Sequence, residues 1–137
     1  MVVDSIINNI SLHADAIFIT GDISEDRTRE SYAHALKQVE RLNLPIDFLA
    51  GNHDDSGCLQ SVFRRSSFVV DTEEIIFGDW MLINVDTVQQ GQDSGLFSCD
   101  EKKARGDKIA EFNGKKVALF MHHHPLLQAY PSWMLAC

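Results

Sequence analysis

An α/β fold built on a β-α-β core is predicted by three observations in this 137-residue chain. Two short, β-rich apolar runs, residues 16–20 and 45–50, each end in a polar loop containing glycine, Gly21-Asp22 and Gly51-Asn52-His53-Asp54. Between them Tyr32, Ala33, Leu36, Val39 and Leu42 recur at helical spacing with charge on the opposite face. A further apolar run, residues 116–121, ends in His122-His123-His124-Pro125. In an open α/β sheet the carboxyl ends of neighbouring parallel strands face one crevice, so loops that close equivalent strands are expected to meet.

Taken in order, Val2, Val3, Ile6, Ile7 and Ile10 have helical spacing and predict a first helix. Residues 16–20 follow as a buried strand stopped by Gly21-Asp22. The amphipathic helix over 28–42 is broken by residues 43–45, which end in proline. Residues 45–50 form the next strand. Residues 68–70 and 75–77 read as strands, and Gly78-Asp79 turns the second of them into the run 80–85, a hairpin. Polar, glycine-rich residues 89–98 read as a loop, residues 101–112 as a helix, and 116–121 as a buried strand.

Composition narrows the function class. With 45% apolar and 23% charged residues, the chain reads as a single domain over 1–137 with a real core. No apolar run approaches the roughly 20 residues a membrane span needs, and the first residues lack a basic, cleavable leader, so no membrane is expected and the cytoplasm is the expected location. A net charge of −8 repels a phosphate backbone, so duplex nucleic acid is not an expected partner. Cys58, Cys99 and Cys137 are odd in number and far apart in sequence and read as free thiols.

Three strand ends thus carry polar side chains: Asp22, Asn52 with His53, and the run His122 to His124. Carboxylate oxygen, amide oxygen and imidazole nitrogen form a mixed ligand set suited to Mn, Fe, Co or Zn rather than an all-oxygen calcium cage. A bridging carboxylate is the natural role for Asp22. Two cations roughly 3.5–4 Å apart would activate water and screen phosphate oxygens. His53, beside Asn52, would face the substrate and donate to a phosphate oxygen or the leaving alkoxide. Asp26 reads as a solvated or supporting carboxylate, and Asp54 as orienting His53 or capping its loop. His13, His34 and Trp80 read as structural; Trp133 reads as packing or as the wall of a nucleotide pocket.

Gly21-Asp22 followed by Asp26, Gly51-Asn52-His53-Asp54, and a strand ending His-His-His-Pro together resemble motifs two to four of the calcineurin-like metallophosphoesterases. Within that superfamily residues 20–23, 49–54 and 120–126 are most similar to bacterial cyclic 3′,5′-AMP phosphodiesterases, and the similarity runs over essentially the whole chain. The resemblance implies a partial metallophosphoesterase β-sandwich flanked by helices. It implies two divalent ions (Mn, Fe, Co or Zn) and a small phosphodiester or nucleotide substrate, with cyclic AMP foremost, attacked by a metal-bound hydroxide. Asp22 would bridge the metals, Asn52 would bind the second, His53 would be the catalytic histidine, and His123, two before proline, would be the ligand of the histidine run.

The sequence departs from the family pattern at both ends. The family opens on Asp-x-His and closes on Gly-His-x-His; neither occurs here, and His13-Ala14-Asp15 has the reverse order. A domain incomplete at both ends is therefore expected, with self-association through exposed sheet edges as one consequence. The alternative reading is a catalytically incomplete fragment acting as a weak metal-binding or protein-interaction module.

Overall fold

The computed structural model describes residue 4 and residues 14–70, 72, 74–89, 91–112 and 116–124. Strand β1 (Ile17–Thr20) is followed by helix α1 (Arg29–Glu40) and strand β2 (Ile46–Leu49). β1 and β2 pair in parallel with Ile17 opposite Ile46 and Thr20 opposite Leu49, so the predicted β-α-β core is present and its two loops leave the sheet at the same edge. Helix α1 begins where Thr28 Oγ1 accepts the Ser31 amide at 3.2 Å. Asp26 supports that cap: Oδ1 accepts from the Ser24 hydroxyl at 2.7 Å and the Thr28 amide at 3.1 Å, and Oδ2 from the Ser31 hydroxyl at 2.9 Å. These bonds, the Ser24 hydroxyl first, hold the Asp26 carboxyl down at about 2.

A helix that the residue pattern did not reveal, α2 (Ser56–Phe63), follows at once. Asp55 caps it by accepting the Cys58 amide at 2.8 Å, and Leu59, Val62 and Phe63 turn inward from its one buried face. They pack with Tyr32, Leu36, Ile46 and Ala50 into the first core cluster, where Phe63 meets Phe48 at 4.8 Å between ring centroids. At roughly 25 cal/mol per Å² of apolar surface removed from water, each such fully buried side chain contributes about 1.5–3 kcal/mol. Residues 68–70, expected as a strand, make only a bridge: Ile46 N–H donates to Phe68 O at 2.8 Å and Val70 N–H to Ile46 O at 2.9 Å.

The second sheet has the order β3-β4-β5, from β3 (Glu74–Phe77), β4 (Trp80–Val85) and β5 (Lys116–Met121). β3 and β4 form the expected hairpin around Gly78, whose positive φ of 55° suits the tight connection. Between β4 and β5 runs helix α3 (Cys99–Glu111), started by a reciprocal capping box between Ser98 and Glu101. Met81, Ile83 and Val85 form a second core cluster beneath Ile109 and Phe112. The two sheets meet where Phe18 of β1 stacks on Phe120 of β5 at 4.1 Å and 10° between planes.

The helix predicted near Val2 lies outside the described residues, as do His13, Pro125, Trp133 and Cys137. Asp4 is described and pairs with Arg41 Nη1 at 3.0 Å. Cys58 is a free thiol as expected, but Cys99 is held in a disulfide, which corrects the expectation of three free thiols. Distance along the chain carries no information about which sulfurs meet in space. Among the described residues no helix is long and apolar enough to cross a membrane.

Candidate functional site

Because β1 and β2 run in parallel and in register, the chain leaves both at one edge, and glycine allows the two loops to touch. Gly21 and Asp22 adopt left-handed backbone, φ 96° and 53°, and a Cβ on Gly51 would overlap Asp22 Oδ1 and the Asp22 amide. The Asp22 carboxylate reaches across to accept the His53 amide at 3.2 Å. Beneath this contact lies Asp54, only 8% exposed. Its Oδ1 accepts the amides of Ile23 at 3.0 Å and Ser24 at 3.1 Å, and its Oδ2 accepts that of Gly51 at 2.9 Å. Asp54 therefore clasps the two loops together, which gives physical form to its expected role as a loop cap.

Tyr32 completes the clasp from helix α1. Its hydroxyl accepts the Asp55 amide at 2.8 Å and donates to Asp54 Oδ1 at 3.3 Å. Burial first, and then the nearby carboxylates, push the phenol up to about 12.

The histidines arrive from β5 of the other sheet. His122 Nδ1 lies 2.8 Å from the carbonyl oxygen of Thr20, which can only accept, so Nδ1 carries a proton. Nε2 then stands 3.0 Å from Asn52 Oδ1 and 3.4 Å from Asp22 Oδ1. A histidine oriented by donating its far N–H to a backbone carbonyl has the arrangement metal ligands use. Asp22, Asn52 and His122 thus bring two oxygens and one imidazole nitrogen to one small region, a set that a cation could bind. Among the described residues no group of three or more His, Cys, Asp or Glu side chains forms such a cluster by itself; the Asn52 amide is needed.

His123, the ligand expected from its place before proline, sits beside this group and not within its hydrogen bonds. Its Nδ1 meets Thr87 Oγ1 at 2.9 Å, its ring packs edge-on to His122 at 4.8 Å, and Gly95 passes so close that a Cβ there would collide with the ring. Among the described residues Nε2 of His123 is buried without a hydrogen-bond partner, a bare ring nitrogen of the kind a ligand would satisfy. Burial, aided by His122, holds this imidazole below its ordinary value. His53 and His124 are exposed. Residue order could not distinguish His122 from His123, because three successive histidines at a strand end leave the frame to be set by how β5 docks. Thr87, a loop threonine with no motif around it, carried no signal at all.

Next to Asn52 and His53 opens a cleft of about 530 Å³, also lined by Arg27, Val88, Gln92 and Asp93. Parallel strand ends that gather a carboxylate, an amide and imidazoles beside a polar cleft define a class of α/β protein with its working side chains on loops. Residues 2–136 match the calcineurin-like phosphoesterase family, and the chain belongs to it. It is 29% identical, over 93% of its length and 52% of the relative's, to a "probable cyclic nucleotide phosphodiesterase" of Coxiella burnetii. It is 28% identical, over 88% of its length and 45% of the relative's, to a "probable glycerophosphodiester phosphodiesterase" of Arcobacter nitrofigilis. To the 3′,5′-cyclic adenosine monophosphate phosphodiesterase of Escherichia coli it is 27% identical, over 88% of its length and 43% of the relative's. The chain spans about half the length of the curated relatives it matches.

Proposed function

We propose that this chain carries half of the active centre of a metal-dependent phosphodiesterase acting on small phosphodiesters, cyclic 3′,5′-AMP foremost. The observation that supports it most is that the Asp22 carboxylate and the Asn52 amide oxygen both lie within 3.4 Å of His122 Nε2 at adjoining strand ends. Asp22 and Asn52 would hold a divalent ion (Mn, Fe, Co or Zn), with His122 and the bare Nε2 of His123 as the imidazole donors. Such an ion supplies Lewis-acid polarisation of phosphate oxygens and acidifies water. Asp54 and Tyr32 keep the two loops at fixed separation, and Asp22 orients the His53 backbone. His53, exposed at the mouth of the cleft, would donate a proton to the leaving alkoxide. A cyclic nucleotide is favoured by similarity to the Coxiella relative, and cyclic AMP in particular by similarity to the Escherichia phosphodiesterase.

The test is hydrolysis of bis-p-nitrophenyl phosphate and cyclic AMP with and without added Mn. Metal-dependent turnover that falls about 10²-fold or more in His53→Ala supports the reading; turnover indifferent to His53 overturns the role given to it. A second reading, a weak metal-binding or protein-interaction module, is favoured by the same ligand count. Calorimetric titration with Mn separates them: tight binding lost in His122→Ala or His123→Ala favours the enzyme, and no binding favours the module. Self-association through sheet edges belongs to this second reading, with β3 and β5 as the outer strands of their sheet, and sedimentation equilibrium checks it.

A further inference from the structure

Arg27 occupies left-handed backbone, φ 57°, where an L side chain is held at a cost and glycine would be at ease. Its Nε donates to the carbonyl oxygen of His53 at 2.8 Å. The side chain is exposed, lines the cleft beside Asn52 and His53, and has no further hydrogen-bond or ion-pair partner among the described residues. It is the one arginine or lysine among the described residues lining that cleft, against the carboxylates of Asp54, Asp55 and Asp93. Two of those carboxylates are turned to other work: Asp54 clasps the loops and Asp55 caps α2.

We propose that Arg27 is the phosphate-holding residue of this cleft, resting on the phosphodiesterase reading above. A bond through Nε leaves the two terminal nitrogens of the planar guanidinium as a fork, the geometry that pairs with two oxygens of a phosphate group. Anchoring Nε to His53 O fixes that fork relative to the same residue whose imidazole faces the leaving oxygen, so the phosphate and the proton donor are positioned by one contact. The backbone strain is the structural counterpart: a position that glycine would satisfy without cost instead carries the longest cationic side chain, aimed along the loop toward the site. In a chain of net charge −8, this local cation offsets repulsion of an anionic ester at the mouth of the site.

The experiment is titration of the intact chain with inorganic phosphate, in the absence of metal, followed by the Arg27 side-chain Nε–H and His53 amide NMR signals. Saturable shifts of both signals are expected. Arg27→Gly should weaken phosphate binding about tenfold and Arg27→Lys by less. Melting of Arg27→Gly should stay within about 3 °C of the parent or rise, because relief of backbone strain offsets one lost hydrogen bond; a purely structural arginine would instead lower it. Unchanged phosphate affinity in Arg27→Gly, or no saturable shift in the parent, overturns the proposal. The two readings fail separately. Arg27-dependent phosphate binding without Mn-dependent hydrolysis would strike the phosphodiesterase reading alone, and Mn-dependent hydrolysis with Arg27-independent phosphate binding would strike this one alone.

Discussion

Replacing Asp54 by alanine removes one acceptor from four donors: the Ile23, Ser24 and Gly51 amides and the Tyr32 hydroxyl, at 2.9 to 3.3 Å. Each hydrogen bond to an ionised acceptor is worth about 1.5–3 kcal/mol net, and the values do not add because freed amides near a loop regain some water. A total loss of about 3–5 kcal/mol follows, a large share of the roughly 5–15 kcal/mol by which domains are stable. Asp54→Asn is milder. Its oxygen can keep the Ile23 and Ser24 amides, but its NH2 then opposes the Gly51 N–H, donor against donor, so about 2–3 kcal/mol is expected. For a chain of this size the alanine variant should melt about 10–15 °C lower. Thermal unfolding by circular dichroism measures the total, and hydrogen exchange at Ile23, Ser24 and Gly51 locates it. A loss below about 1 kcal/mol, or undiminished protection of those three amides, would refute the clasp.

Four further outcomes are expected. Tyr32, with its phenol raised from 10.0 to about 12, must stay protonated in the fold, so its contribution is complete below pH 10 and fades between pH 10 and 12. That contribution is on the order of 2 to 3 kcal/mol, so in denaturant titrations the margin of the parent over Tyr32→Phe should be constant below pH 10 and shrink across that window. Gly51→Ala, whose Cβ would overlap Asp22, should separate the loops and weaken Mn binding by about tenfold or more in calorimetry, with stability lowered as well. Phe63→Ala in the first core cluster should cost about 3–5 kcal/mol in urea unfolding, since Phe63 is fully buried. Ser98→Ala removes the capping box of α3 and should cost only about 1 kcal/mol, detectable as lost protection in the first turn of that helix.

The elements that could be read from residue order are those whose own periodicity decides them. Helix α1 declared itself through Tyr32, Leu36 and Val39, and β5 through its unbroken apolar run. Helix α2 escaped because it is eight residues long and opens on Ser56-Gly57, leaving too few turns for a pattern. Residues 68–70 have strand composition, but their partner is one residue of β2, and pairing is a property of two segments rather than one.

The same division runs through the site. Residue order alone determined that Asp22, Asn52 and His53 stand at the ends of adjacent strands, because strand, turn and glycine signals are local and a β-α-β unit makes its strands parallel. It determined membership of a phosphoesterase family as well. What only the tertiary structure decided is which atoms of distant segments meet. Asp54 bonds amides 30 and 31 residues away, Tyr32 reaches down from its helix to join it, and His122 reaches Thr20 across 102 residues. The facing of His122 rather than His123 toward Asp22 depends on the register and docking of β5 against the other sheet. A one-residue change in that register would exchange the two rings, and no local propensity encodes it.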